Sequence, residues 1–341
     1  MDTSDFMLQL AKQLMEVRGV AESTATAYVR SLYQLNGRKP FKNLAFLRNV
    51  EEIQKTISGY AESTQRALTA TIVSVLSLWK TKPTYKKLFE LYEKKMYDKA
   101  EETKVSDLSG GSTEKTAKQK ENWLTWDAVL KRKAELREAL SSLPKRKAPT
   151  PEQYESLLQH LLLALYTDIQ PRRNQDYMDM YIVKKWNEKL PTDKNYLDLE
   201  GKRFVFNKYK TAKRYGTQME TLTDPLMDSV NLYLKYHPLW KGAVKRKNDP
   251  IKLLTSATGE PLVANNAITR VLNRIFGGKK VGCSMLRHIY ISDKYKGVVE
   301  EQMKDAAAMA HSLTLQKAYY KSDEAPAPAA TLDENTITII S

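Results

Sequence analysis

The chain has 341 residues, of which 42% are apolar, so it is long enough for two domains and a sizeable core. Lys plus Arg outnumber Asp plus Glu by 55 to 40, a net charge of +15, and a chain this basic attracts polyanions, most commonly nucleic acid. Its single cysteine excludes an internal disulfide framework, and with only four histidines it argues against a zinc site of ordinary ligand spacing.

The apolar pattern also bears on localisation. No apolar run approaches the roughly 18–20 residues of a membrane span. The first residues lack the basic start and apolar centre of a secretory signal. We therefore expect an intracellular protein with no membrane partner, since a lone cysteine also fits a reducing compartment.

Residues 1–97 are predicted to form a helical domain. Apolar residues recur at helical spacing in its first segment, at Phe6, Leu10, Leu14 and Val17. Ser23 is the predicted cap of a second helix, Thr64 begins a third and Pro83 ends it. Basic residues lie between the apolar positions, so we expect a small helical bundle that sits against a DNA backbone.

Residues 98–149 are predicted to be a linker. Residues 101–121 are polar and charged, and they include the run Ser-Gly-Gly-Ser at 109–112. An amphipathic segment at 123–140 and a basic loop at 144–149 follow.

The predicted second domain spans residues 150–321 and mixes helices with a β-hairpin. Thr150 and Pro151 are typical of a helix start. Residues 203–206 alternate as in a strand, and residues 217–222 are its predicted hairpin partner. Further predicted helices cover residues 226–236, 265–276, 286–295, 300–309 and 313–321, before an acidic, Ala/Pro-rich tail at 322–341. The fold class is thus mainly α with a small antiparallel β-hairpin or sheet.

Chemistry-bearing side chains concentrate in this second domain. The segments are the Pro-Arg-Arg-Asn run at 171–174, the basic turn at 208–216, Ser-Met-Leu-Arg-His at 284–288, Ala-His-Ser at 310–312 and Tyr-Tyr at 319–320. Cleaving a phosphodiester without a metal requires a nucleophile, cations for the non-bridging oxygens and an acid for the leaving oxygen. Arginine, lysine and tyrosine can supply all three.

The order of these segments resembles the catalytic domain of the tyrosine recombinases, the integrase family of phages and mobile elements. That family's pattern is an arginine after a helix, a hairpin lysine, a His-x-x-Arg box, a His or Trp, and a tyrosine about nine residues later. The amino-acid sequence within these segments is similar to that of integrases carried by large DNA viruses of eukaryotes, virophages and related transposons. The resemblance covers residues 150–321; residues 1–97 resemble the family's core-binding domain only in size, helicity and charge.

The resemblance implies a first catalytic arginine and a general acid. The family usually has an acidic residue three positions after this arginine, and Arg173 has Asp176 there, so Arg173 is favoured as catalytic and Arg172 as a phosphate contact. Lys210, directly before a threonine and next to the strand, best matches the family's general acid, and Lys213 is its rival. Taken alone, these are also the features of surface arginines and of a basic hairpin on a DNA backbone.

The Ser-Met-Leu-Arg-His segment implies a second catalytic arginine, Arg287. Ser284 stands where the family usually has histidine, which puts a histidine general base in doubt, though not phosphate binding. His288 follows the arginine as in many relatives, and a buried structural histidine is its plain alternative.

The nucleophile implied by the resemblance is Tyr320. His311 matches the family's phosphate-binding histidine, and Tyr320 lies nine positions after it. Tyr319 is one residue short and would point about 100° away on a helix. Tyr320 is therefore favoured and Tyr319 is the alternative.

The resemblance implies an enzyme that cleaves and rejoins double-stranded DNA through a 3′-phosphotyrosine, without metal or cofactor. It also implies a homotetramer on two DNA sites, with the C-terminal tail exchanged between subunits, in the nucleus or cytoplasm of a virus-infected host cell. Two other functions stay open: type IB topoisomerase-like relaxation, and DNA binding without catalysis, to which the Ser284 departure gives some weight.

Overall fold

The computed structural model describes residues 4–108, 114–144, 147–240, 251–264 and 266–311. The chain divides into two compact units, one formed by described residues up to 108 and one by described residues from 114 onward. The predicted Ser-Gly-Gly-Ser run, the helix at 313–321, Tyr319, Tyr320 and the tail all lie outside the described residues.

The first unit is helical, as predicted. Its helices are α1 (Asp5–Arg18), α2 (Glu22–Leu35), α3 (Val50–Ser58), α4 (Glu62–Leu76) and α5 (Pro83–Leu108). Their apolar faces form one core that includes Leu10, Leu14, Leu32 and Ile72. Val17, expected on the apolar face of α1, is 70% exposed. None of the described helices is long and apolar enough to cross a lipid bilayer.

Three helix boundaries in this unit differ from the prediction. Ser23 lies inside α2, because the extended residue before Glu22 is the N-cap. Thr64 lies inside α4, which begins in the same way at Glu62. Both helices begin with an acidic residue, which the positive end of the helix dipole favours. Pro83 begins α5 instead of ending α4, because the first helical residue needs no N–H donor.

The second unit is built around one buried helix. Its helices are α6 (Ala117–Asn122), α7 (Trp126–Ala139), α8 (Pro151–Thr167), α9 (Asn174–Met178), α10 (Ala212–Tyr215), α11 (Asp224–Tyr236), α12 (Ala267–Ile275), α13 (Cys283–Lys294) and α14 (Lys296–Ala308). The predicted start of α8 is confirmed: Thr150 and Gln153 form a reciprocal capping box. Residues 160–166 of α8 are all buried, so this helix forms the centre of the unit.

The amphipathic segment of the predicted linker forms α7, which packs on α8. Val129 and Leu136 of α7 are buried in the core of the second unit. Lys133 forms an ion pair with Asp168 at the end of α8, and the Nε–H of Arg132 donates to the carbonyl of Ile275 over 2.9 Å. The segment is therefore part of the second compact unit.

A five-stranded sheet in the order β4-β3-β2-β1-β5 contributes Leu197, Phe204 and Phe206 to the same core as α8. The strands are β1 (Met180–Val183), β2 (Asn195–Asp198), β3 (Arg203–Phe206), β4 (Gln218–Thr221) and β5 (Ile251–Lys252). The predicted hairpin is confirmed, since β3 and β4 pair antiparallel. The expectation of an antiparallel sheet is wrong in part, because β1 and β2 run parallel and the sheet is mixed.

Candidate functional site

A pocket of about 250 Å³ lies in the second unit where the α8–α9 turn, the segment after β3, strand β4 and helix α13 meet. It is lined by Ile169, Gln170, Pro171, Arg172, Arg173, Asp176, Tyr209, Thr211, Tyr215, Gln218, Glu220 and Arg287. Three arginines face two carboxylates there, so the lining carries an excess of positive charge. The pocket gathers the candidate arginines from segments that are more than a hundred residues apart in sequence.

The turn that presents Arg172 and Arg173 is fixed at both ends. Helix α8 ends at Thr167, and Pro171 disfavours helical backbone at the residue before it. Arg173 is the extended N-cap residue of α9. Asn174 accepts a hydrogen bond from the hydroxyl of Tyr166 over 2.7 Å and donates to Thr269 over 2.9 Å. The arginine turn is thus tied to helices α8 and α12.

Arg172 is held by three neighbours. Its Nε–H donates to Oδ2 of Asp176 over 2.9 Å, and an Nη2–H donates to Oε1 of Gln218 over 3.0 Å. Its guanidinium carbon lies 3.8 Å from the ring centroid of Phe206. Burial raises the pKa of Asp176, and Arg172 and then Arg173 oppose that shift. The ion pair with Arg172 therefore helps to keep a buried carboxylate charged.

Arg173 and Arg287 differ from Arg172 because neither side chain forms a hydrogen bond or ion pair with any residue that the structure describes. Both are partly buried and both line the pocket. Arg287 is carried by α13, which is anchored through the buried side chains of Leu286 and Ile289. Two guanidinium groups with unused donors thus face one cavity, an arrangement suited to an anion with several oxygens.

The segment after β3 is positioned by Asn195, a residue with 1% exposure. Its amide donates to the carbonyls of Asp176 and Lys208 over 2.9 and 2.8 Å. Its oxygen accepts from the backbone N–H groups of Asn207 and Lys208 over 2.9 and 2.8 Å. One buried amide therefore connects helix α9, which carries Asp176, to the segment that leads to Lys210.

Lys210 lies between two pocket-lining residues, Tyr209 and Thr211, but its own exposed side chain is not among the lining residues. Lys213 is also exposed, on the short helix α10. The hydroxyl of Tyr209 donates to the carbonyl of Gly216 over 2.7 Å and closes this turn. The structure brings the lysine segment to the pocket rim without distinguishing the two lysines.

The other predicted residues are distributed as follows. Ser284 and His288 are exposed on α13, the helix that also carries Arg287. Neither is among the residues that line the pocket. His288 is therefore not the buried structural histidine that was its alternative. His311 follows α14, and its backbone N–H donates to the carbonyl of Ala306 over 3.0 Å. Tyr319 and Tyr320 lie outside the described residues.

Sequence reasoning missed Gln218, Glu220, Tyr215 and Asn195. Gln218 and Glu220 are two apart on β4, so both point to the same face, and that alternation was visible in the predicted hairpin. Asn195 gave no comparable signal, because a polar residue at the start of a short strand is usually read as a turn.

Comparisons of the chain with protein-family models, with curated proteins and with solved structures found no match. No group of three or more His, Cys, Asp or Glu side chains that could hold a metal ion occurs within the described ranges. A functional assignment therefore depends on the chemistry of the pocket and on the motif resemblance.

Proposed function

We propose that this chain is a DNA strand transferase of the tyrosine recombinase type, acting on double-stranded DNA through a 3′-phosphotyrosine. The observation that carries the proposal is the meeting of Arg173 and Arg287 in one pocket, both without a protein partner among the described residues. Two such cations can neutralise the charge that develops on the non-bridging oxygens of a phosphodiester. The net charge of +15 supports a polyanionic substrate.

In the proposed reaction Tyr320 releases its phenolic proton to solvent, and the phenolate oxygen, which neighbouring cations favour, attacks phosphorus. A bond between that oxygen and phosphorus forms as the bond between phosphorus and the 5′ oxygen breaks. The ammonium group of Lys210 donates the proton that the 5′ oxygen takes up. A 5′ hydroxyl of a partner strand then reverses these steps. The phosphotyrosine conserves the phosphodiester energy, so no co-reactant is needed.

The remaining candidates have supporting roles in this proposal. His311 donates a hydrogen bond to a non-bridging oxygen, and Ser284 takes the place of a second histidine. Arg172 already donates to Asp176 and Gln218, so Arg173 is the better candidate for the first catalytic arginine. Assembly as a homotetramer on two DNA sites is part of the proposal, since two duplexes must be cut to exchange strands.

A covalent trapping assay on DNA of random sequence tests the proposal, because the chain itself then selects the site. The full chain is incubated with randomised duplexes that carry a nick, so that the short leaving strand diffuses away and the adduct accumulates. Adducts are separated in a denaturing gel, and the attached DNA is sequenced. We expect a wild-type adduct with an enriched sequence.

Arginine variants connect the adduct to the pocket. Arg173→Ala and Arg287→Ala are each expected to lower the rate of adduct formation about 100-fold or more. Arg270→Ala is the matched control, because Arg270 is exposed and, within the described ranges, its side chain donates hydrogen bonds only to Asn266 on the preceding turn. A rate unchanged by both pocket substitutions would contradict the proposal, and a wild-type chain that binds DNA without any adduct would favour DNA binding without catalysis.

A strand-exchange assay distinguishes a recombinase from a type IB topoisomerase. When the enriched sequence is placed on two duplexes, a recombinase joins strands from both. Loss of supercoils from one plasmid without any joined product would favour the topoisomerase alternative instead.

A further inference from the structure

Gln218, Phe206 and Asp176 together form a binding site for the guanidinium group of Arg172, here called the seat of Arg172. Gln218 and Phe206 are direct cross-strand partners in the β3–β4 hairpin. The ring of Phe206 lies against the guanidinium at 3.8 Å, and Oε1 of Gln218 accepts from Nη2 at 3.0 Å. Asp176 accepts from Nε on the remaining side at 2.9 Å. The contacts come from separate elements, α9 and the hairpin, and fix the plane of the group.

The seat leaves part of Arg172 available to a ligand. A guanidinium has five N–H donors in one plane. One is used by Asp176 and one by Gln218, and no other hydrogen bond of this side chain is made to the described residues. Three donors therefore remain on a group that lines the pocket.

The residue type at position 218 matters because the amide is neutral. Asp176 already supplies one negative charge to Arg172. A carboxylate at position 218 would add a second one and would weaken the attraction of the pocket for an anion. The amide orients the guanidinium without changing the net charge.

We infer that Gln218 is a positioning residue that orients Arg172 as a third phosphate-binding group of the pocket. The ligand is an oxyanion of the phosphate class, and its identification with a DNA phosphodiester rests on the proposed function. Gln218 acts through Arg172 and does not contact the reacting atoms.

The test uses inorganic phosphate and the full chain, so that it requires no DNA cleavage. The Nε–H of Arg172 gives an NMR signal that reports its bond to Asp176, and Arg172→Lys assigns that signal by its loss. Phosphate is expected to shift the wild-type signal in a saturable way. Gln218→Met, which keeps the length but removes the acceptor, is expected to lower the phosphate affinity roughly tenfold.

Two further variants separate orientation from stability. Gln159→Met is the matched control: Gln159 is also half-buried, donates to Glu155 on α8 and is not among the pocket-lining residues. It should leave the phosphate affinity unchanged. Gln218→Glu keeps an acceptor and should retain the Arg172 signal, while the added charge lowers phosphate affinity. Urea unfolding of each variant accounts for any general loss of structure.

Two results would overturn the inference. One is a Gln218→Met variant that binds phosphate as tightly as the wild type. The other is a wild-type Arg172 signal that does not respond to phosphate. Neither result depends on the tyrosine, so an absent DNA adduct together with the expected phosphate data would reject the proposed function and leave the positioning role intact.

Discussion

The Nε–H of Arg172 donates to Oδ2 of Asp176 over 2.9 Å, and only 4% of the Asp176 side chain is exposed. Breaking a buried ion pair leaves one charge uncompensated, which costs more than the pair itself contributes. The two adjacent arginines should therefore respond differently to substitution. Arg172 stabilises the fold around the pocket in addition to its proposed contact with phosphate, whereas Arg173 forms no ion pair with the described residues on which the fold would depend.

Arg172→Ala is expected to lower the free energy of unfolding by about 3 kcal/mol, because it leaves Asp176 buried and unpaired. Arg173→Ala should change it by less than about 0.5 kcal/mol while lowering adduct formation about 100-fold. Urea unfolding measures the first effect and covalent trapping the second. The double variant Arg172→Ala/Asp176→Asn should recover part of the lost stability. Equal destabilisation by Arg172→Ala and Arg173→Ala would refute this division of roles.

Lys210 and Lys213 provide a matched pair for the general acid. Lys210→Ala is expected to slow cleavage of ordinary DNA by about 100-fold or more, because the leaving 5′ oxygen then lacks a proton donor. DNA with sulfur in place of that oxygen should restore the rate, since a thiolate leaves without protonation. Lys213→Ala should affect neither substrate. The reverse pattern in single-turnover kinetics would assign the role to Lys213.

We expect the hydrogen bonds of Asn195 to be essential for holding the segment that leads to Lys210 in place and for the stability of the fold. Asn195→Asp keeps the shape but removes both donors, so it leaves the carbonyls of Asp176 and Lys208 facing a carboxylate. The free energy of unfolding should fall by about 3 kcal/mol. Asn231→Asp is the control, because Asn231 is exposed on α11. If urea unfolding gave equal values for both variants, the described role of Asn195 would be wrong.

The stability of the second unit should depend on pH through two buried histidines. Burial lowers the pKa of His160 and of His237 to about 4 each; Arg137 and Lys133 add to the shift at His160, and Asp168 opposes it. In the unfolded chain both pKa values lie near 6.5. Between pH 6.5 and 4 the unfolded state binds more protons, so stability falls as the pH falls, by up to roughly 3 kcal/mol for each histidine.

The urea midpoint measured from pH 7.5 to pH 4.5 checks this expectation. His160→Gln and His237→Gln should each flatten the dependence, whatever their effect at pH 7.5. His288→Gln is the control, because that side chain is exposed. A dependence as steep in the double variant as in the wild type would assign the acid sensitivity to other groups.

The predictable parts of the fold are those with local causes. Helix α8 was predicted from its cap and its apolar run, and the β3–β4 hairpin from the alternation of residues 203–206 and the strand-like residues 217–222 on either side of a basic turn. Strands β1 and β2 were missed because they pair in parallel, so no tight hairpin turn in the sequence marks their pairing. Strand β2 was also missed because it begins with a polar residue, Asn195. The hydrogen bonds of this buried amide are made to residues distant in sequence, so the sequence pattern does not reveal them.

The candidate site was also predictable only in part, where short sequence motifs mark its residues. The two arginine segments were found from motif order, and the structure brings Arg172, Arg173 and Arg287 into one pocket. Gln218 was not found, because its bond to Arg172 spans 46 positions of sequence and depends on the sheet. The lysines stay ambiguous for the opposite reason: both side chains are exposed on one turn, so no burial distinguishes them.

The central claim is that Tyr320 becomes covalently linked to DNA, and peptide mapping of the trapped wild-type adduct by mass spectrometry tests it most directly. We expect a nucleotide attached to Tyr320 in the wild-type chain. The adduct should be retained in Tyr319→Phe and in Tyr215→Phe, a control chosen because Tyr215 lines the pocket. It should be lost in Tyr320→Phe. A nucleotide mapped to Tyr319, Tyr215 or any other residue, or an adduct that persists in Tyr320→Phe, would contradict the account.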